Sequence, residues 1–289
     1  MNDTPAPINA WKGALGANWA AEVETMERQM APIGAVARAA LDPQPGERVI
    51  DVGSGGGVDT LEIARAVGAR GRVTGVDISA DLAEIARARL RETPWAQIVI
   101  GDATTHPFER GGYDALYSRM GVMFFDDATA AFTNLHTALA PGGRAAMSVF
   151  APLAGNDWAR LGFEVGRERL GLQVPPAGRA GPFGWCEPDH FSPILAAAGF
   201  RDVAWEAAEV LLPLGAGFAA DPVEAAVGLS LRIGTLARAL NELEAAEGTA
   251  ARSAMEAGLR PDLAAAYAPH VADGAVRLGA RLWLIRARA

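Results

Sequence analysis

Apolar residues recur at three-to-four spacing through residues 19–41, at Trp19, Val23, Met26, Met30 and Ile33. That spacing predicts an amphipathic helix. Asp42-Pro43-Gln44-Pro45-Gly46 then breaks the pattern. Beyond it, short apolar runs alternate with helical stripes. Strands are predicted at residues 48–52, 72–76, 97–100, 113–117 and 145–150. Helices are predicted at 58–67, 81–91 and 129–139, the last halted by Pro141-Gly142-Gly143. A helix over 193–198, a strand over 202–206 and a last strand over 281–286 complete the expected series. Strand and helix alternate across residues 46–206, which predicts a mostly parallel, doubly wound α/β sheet.

Two segments fall outside this rhythm. Residues 151–187 contain Pro, Gly and aromatic residues, and residues 213–278 are mostly helical, with longer pieces at 225–246 and 252–267. Both read as insertions, serving either as extra packing or as a substrate cover. The expected organisation is one domain over 1–289. It has an N-terminal helical cap (1–45), a ligand-binding core (46–150) and the two insertions. Residues 1–10 are polar and Pro-containing, and are expected to fray.

Composition narrows the function classes. The 289 residues hold 26 Lys plus Arg against 34 Asp plus Glu, a net charge of −8. The basic face that nucleic acid demands is not expected. Cys186 is the single cysteine, and His106, His136, His190 and His270 are widely spaced, so neither a disulfide scaffold nor a metal site is expected. No basic-then-apolar leader and no apolar stretch of about 18 residues is visible, and a cytoplasmic protein without a membrane partner is the expectation.

The chemistry concentrates in Val49-Ile50-Asp51-Val52-Gly53-Ser54-Gly55-Gly56-Gly57, a strand running into a glycine turn that opens a helix. Glycines there permit positive φ and close approach of a ligand to the backbone. The spacing is Asp-x-Gly-x-Gly-x-Gly. It departs from the dinucleotide fingerprint Gly-x-Gly-x-x-Gly, because Val58 stands where the third glycine would be. Asp77 ends the second strand, where a carboxylate can take both ribose hydroxyls of a nucleoside. Asp102 ends the third strand, within reach of an adenine amino group. Each acid alone also reads as a helix cap or turn residue. Together they mark consecutive carboxyl ends of one sheet, where ligands of open α/β sheets bind.

Val-Ile-Asp-Val-Gly-Ser-Gly-Gly-Gly, Gly75-Val76-Asp77-Ile78-Ser79, Gly101-Asp102-Ala103 and Leu139-Ala140-Pro141-Gly142-Gly143-Arg144 resemble the class I S-adenosylmethionine-dependent methyltransferases. The stretch Ser118-Arg119-Met120-Gly121-Val122-Met123-Phe124-Phe125-Asp126-Asp127 and the element Trp11-x-x-x-x-Gly16-x-x-Trp19 are similar to the quinone-biosynthesis-type subgroup. The resemblance implies a Rossmann-like methyltransferase sheet, mostly parallel, with an antiparallel last strand and helical caps. It implies S-adenosyl-L-methionine as cofactor, S-adenosyl-L-homocysteine as product and a small-molecule substrate. Asp51, Gly53, Ser54, Gly55 and Gly57 would line the methionine moiety. Asp77 would bind the ribose, Ile78 would lie against the adenine, and Asp102 would accept from its amino group beside the Ala103 amide. Ser118, Arg119 and Met120 would face the reactive methyl.

No catalytic residue declares itself. His190 reads as a helix-start histidine more readily than as a general base. Trp11, Trp19, Phe124 and Trp158 are the candidate cover residues, since aromatic faces suit a sulfonium or a flat substrate by roughly 0.5–2 kcal/mol; cap packing is their other reading. Methyl transfer to a small aromatic or apolar metabolite leads. A non-methylating reaction such as cyclisation or decarboxylation, a nicotinamide oxidoreductase and a non-catalytic binding module are the alternatives. A homodimer through the insertions is a further expectation.

Overall fold

The computed structural model describes residues 10–174 and 178–289. The end expected to fray lies, but for Ala10, outside these residues. The N-terminal stripe forms two helices where one was expected: α1 (Ala14–Ala21) and α2 (Val23–Leu41). The break falls at Glu22, which leaves helical geometry at φ −111° and ψ 17°. The apolar spacing continues in phase across it, so periodicity alone does not register the bend. α2 ends at Asp42 in the left-handed conformation, just ahead of the Pro-Gly breaker.

The core then follows the expected alternation: β1 (Arg48–Val52), α3 (Val58–Val67), β2 (Arg72–Asp77), α4 (Ala80–Arg89), β3 (Ala96–Ile100), β4 (Tyr113–Arg119), α5 (Ala128–Ala138) and β5 (Leu139–Phe150). After it come α6 (Asp157–Leu170), α7 (Pro188–Ala197), β6 (Arg201–Leu214), α8 (Pro222–Arg232), α9 (Thr235–Glu247), α10 (Thr249–Tyr267), the two-residue β7 (Val271–Ala272) and β8 (Ala275–Arg288). The sheet order is β3-β2-β1-β4-β5-β8-β6, with β7 on β8. β1 to β5 pair in parallel. β8 runs antiparallel to both β5 and β6. This is the Rossmann-like methyltransferase sheet.

Three boundaries differ from expectation. Pro141-Gly142-Gly143 does not stop α5, because the chain already turns extended at Leu139 (ψ 142°). The Pro-Gly-Gly step instead bulges out of β5. Between Tyr113↔Leu139 and Ala115↔Arg144 the register advances two residues on β4 and five on β5. β6 and β8 are also far longer than their apolar runs suggested, pairing from Arg201↔Arg288 to Leu214↔Val276. β6 is mostly exposed, so burial leaves little trace in its sequence.

The sheet is covered on both faces, as parallel strands require. Leu41, Val49, Ile63 and Tyr117 are buried between the sheet and α2 and α3. Ile50, Leu116, Phe132, Leu135, Phe191 and Leu195 are buried on the α5 and α7 side. The same apolar cluster continues through Phe163, Leu236, Leu240, Leu259, Leu263 and Tyr267. It therefore joins α6, α9 and α10 to the sheet. Tyr267 Oη and Ser230 Oγ, 3.0 Å apart, share a hydrogen bond inside this helical layer.

Candidate functional site

The β1 strand is buried, and its last turn must reverse sharply into α3. Gly53, Gly55 and Gly57 take that path with φ of 72°, 52° and 80°. Gly53 N–H donates to the Val76 carbonyl at 2.8 Å, tying the loop to β2. A Cβ on Gly53 would lie 2.8 Å from Gly121 Cα, and one on Gly57 2.7 Å from Ala86 Cβ. A Cβ on Gly55 would meet nothing within 4 Å. The loop is thus wedged at both ends and faces open space at its centre.

Asp77 is fixed against the same loop. Gly55 N–H donates to its Oδ2 at 2.7 Å, and Ser79 N–H donates to Oδ1 at 2.8 Å. Burial raises the Asp77 carboxyl above its ordinary value, against the pull of the Ser79, Gly55 and Ile78 amides. Ile78 is half-buried beside it, and Ser79 caps α4 by accepting from Leu82 N–H. One strand further out, Asp102 Oδ1 accepts from Thr104 N–H at 2.8 Å. The buried Ala103 has its carbonyl held by Asn134 Nδ2 at 2.9 Å. Burial and the charge of Asp102 raise the Asp126 carboxyl above its ordinary value.

Three residues expected in the lining stand behind it. Asp51 is 2% exposed, and Thr60 Oγ1 donates to its Oδ2 at 2.5 Å. Ser118 is fully buried, with its Oγ donating to the Val52 carbonyl at 2.7 Å. The Arg119 guanidinium turns towards α2 and α3. Its Nη2 donates to Glu27 Oε2 at 2.6 Å, and its Nε lies 2.6 Å from Asp59 Oδ2, an ion pair whose angle makes no hydrogen bond. Burial alone would lower the Arg119 pKa, but Asp59 and Glu27 raise it, so the guanidinium stays charged. Met120 then takes φ 60° and Gly121 closes on Gly53. Ser54 is 4% exposed, and its Oγ has no hydrogen-bond partner among the described residues.

This buried charge network escaped sequence reasoning. Arg38 of α2 also pairs with Asp59, and Arg89 of α4 joins Glu24 to the Gly56 carbonyl. One signal was present: Glu27 lies four residues after Val23, on the stripe that α2 buries. An acid on an apolar stripe implies a buried cation partner.

Trp11, Trp19 and Phe124 meet edge-to-face, with Trp11 5.4 Å from Trp19 and 5.3 Å from Phe124. Trp158 does not join them. It packs on Phe150 at 4.6 Å and on Phe183 at 6.3 Å. His190, on α7, lines a cleft of about 300 Å³ with Phe125, Asp126 and Trp185, apart from the glycine loop. Among the described residues no three His, Cys, Asp or Glu side chains converge as a metal site.

The strand order, the glycine turn after β1 and the acids after β2 and β3 define the class I methyltransferase fold. Residues 49–143 match the family described as "Methyltransferase domain". Over 108 residues the chain is 37% identical to a 37.1 kDa protein in transposon TN4556 of Streptomyces fradiae, covering 37% of this chain and 31% of that one. Over 103 residues it is 31% identical to a demethylmenaquinone methyltransferase of Staphylococcus epidermidis, covering 36% and 43%. The chain thus spans less than half the length of these curated relatives. A phosphoethanolamine N-methyltransferase 2 of Haemonchus contortus, solved with S-adenosyl-L-methionine, shares the fold at TM-score 0.56 and 16% identity. That match covers 99% of this chain and 60% of the other. The chain thus shares the class I methyltransferase fold, and its residues 49–143 carry the methyltransferase-domain match.

Proposed function

We propose that this protein is an S-adenosyl-L-methionine-dependent methyltransferase acting on a small aromatic or apolar metabolite at O, N or C. The observation that carries this reading is the joining of Asp77 to the glycine loop through the Gly55 amide. It sets a carboxylate of the kind that takes ribose hydroxyls beside an open glycine cradle. The residues present suit the cofactor. Gly55 leaves room where a side chain would intrude, and Ser54 keeps a buried hydroxyl without a partner among the described residues. Asp77 would hold the ribose, Ile78 and Ala103 the adenine, and Asp102 its amino group. Gly53, Ser54, Gly55 and Gly57 would cradle the methionine end, with Asp51, Ser118, Arg119 and Met120 supporting it.

S-adenosyl-L-methionine, once bound, supplies a methyl already activated on a positive sulfur. The protein's task is then alignment and exclusion of water, which together supply about 7–11 kcal/mol. A general base would add roughly a factor of 10²–10⁴, and is needed only when the acceptor enters protonated. The Trp11, Trp19 and Phe124 rings would cover the site and stack against the acceptor. A small-molecule partner and a cytoplasmic location belong to the same reading. No helix among the described residues is long and apolar enough to cross a membrane.

Calorimetric titration with S-adenosylmethionine and, separately, NAD tests the cofactor. Binding of the first alone is expected, and NAD binding alone overturns the reading. Incubating the protein with methyl-labelled cofactor and a small-molecule extract tests transfer. A labelled metabolite is expected, and unchanged label despite cofactor binding refutes it.

A further inference from the structure

Beneath the glycine loop, carboxyl groups outnumber cations. Glu27 of α2 and Asp59 of α3 are both paired with Arg119, at the end of β4, and Asp59 also with Arg38 of α2. Two guanidinium groups thus answer two carboxylates. Asp51, at the end of β1, is the third carboxyl of the group and has no cation of its own among the described residues, where its one hydrogen bond comes from the Thr60 hydroxyl. α4 brings Arg89, which is held by Glu24 and the Gly56 carbonyl. α3 brings Asp59 and Thr60, α2 brings Glu27 and Arg38, β4 brings Tyr117 and Arg119, and β2 brings Asp77. Tyr117 Oη is buried without a hydrogen-bond partner among the described residues, and donates nothing to Asp51. Asp77, with its own hydrogen bonds from backbone amides, adds negative charge on the open side.

A buried carboxylate without a cation is costly, and the ordinary remedy is a proton. The missing cation would arrive with the amino-acid end of the cofactor, which carries an ammonium. We propose that Asp51 holds a proton in the free protein and releases it to solvent when that cationic end settles on the loop above. Asp51 is then a specificity-determining residue that acts from behind the lining. It favours a cationic ligand over a neutral one, and it makes cofactor affinity depend on pH. The O–H bond of the carboxyl breaks, the proton passes to buffer, and no oxidant or co-reactant is needed. The inference rests on the cofactor reading above.

The test is calorimetric titration of the full chain with S-adenosylhomocysteine, which keeps the ammonium. Titrations run at pH 6.5 in buffers of different ionisation enthalpy. With Asp51 pushed up to about 7, mainly by burial, about three quarters of a proton should leave per site. The dissociation constant should rise about eightfold from pH 7.5 to pH 6. Asp51→Asn should bind without proton release and with a flat pH profile. Binding by the wild type with no proton release overturns this inference and leaves the cofactor reading standing. So does equal release by Asp51→Asn, which would assign the proton elsewhere. Failure to bind overturns both.

Discussion

Replacing Asp51 by Asn should stabilise the free protein, and by an amount that depends on pH. Burial pushes the Asp51 carboxyl from its ordinary 3.8 up to about 7; the charges of Asp59 and Asp77 act the same way, while the Thr60 hydrogen bond and the Arg119 charge oppose. A carboxyl whose pKa is higher in the folded state binds more protons there than in the unfolded chain. Between about pH 4 and pH 7, stability therefore falls as pH rises. The full loss is reached above pH 7. At about 1.4 kcal/mol for each tenfold change in proton affinity, it comes to about 4 kcal/mol. Asn keeps the shape and an acceptor for Thr60 but cannot ionise. Urea denaturation followed by tryptophan fluorescence at pH 5 and pH 8 measures the effect. The variant should gain on the wild type by about 2–3 kcal/mol between the two pH values, since part of the loss has already occurred by pH 5. An unchanged difference between them would refute the reasoning, since it would mean that Asp51 is ionised at both or at neither.

Asp77→Ala should weaken S-adenosylhomocysteine binding by at least tenfold in calorimetry, because hydrogen bonds to a charged group contribute about 1.5–3 kcal/mol. Gly57→Ala should cost about 2–3 kcal/mol in urea denaturation, through its positive φ and the contact with Ala86. Trp11→Ala should raise the acceptor KM in a methyl-transfer assay while leaving cofactor affinity within about twofold. Tyr267→Phe should cost about 1 kcal/mol by the same denaturation, since it breaks the bond to Ser230.

What the sequence made legible were features with a local signature. The glycine turn needs residues that tolerate positive φ, and the acids after β2 and β3 end runs of β-branched residues, so both stand out in one dimension. The sheet's parallel core is buried on both faces, and its apolar runs mark β1, β2 and β4 closely. β6 was largely hidden because it is exposed at the sheet edge and carries no two-residue alternation. The Glu27–Arg119–Asp59–Arg38 network was hidden for another reason. Its members come from α2, α3 and β4, and only the fold brings them together. That network also explains why Arg119, expected to face the reactive methyl, turns to α2 and α3: two carboxylates hold it there. Trp158 was expected in the cover, but Phe150 and Phe183 offer it a packed stack.

A crystal structure with S-adenosylhomocysteine tests the central claim most directly. Both ribose hydroxyls should lie within hydrogen-bond distance of the Asp77 carboxylate, the amino-acid end over Gly53–Gly57 and the adenine between Ile78 and Ala103. A nucleoside seated elsewhere, with Asp77 touching only its backbone amides, would contradict it.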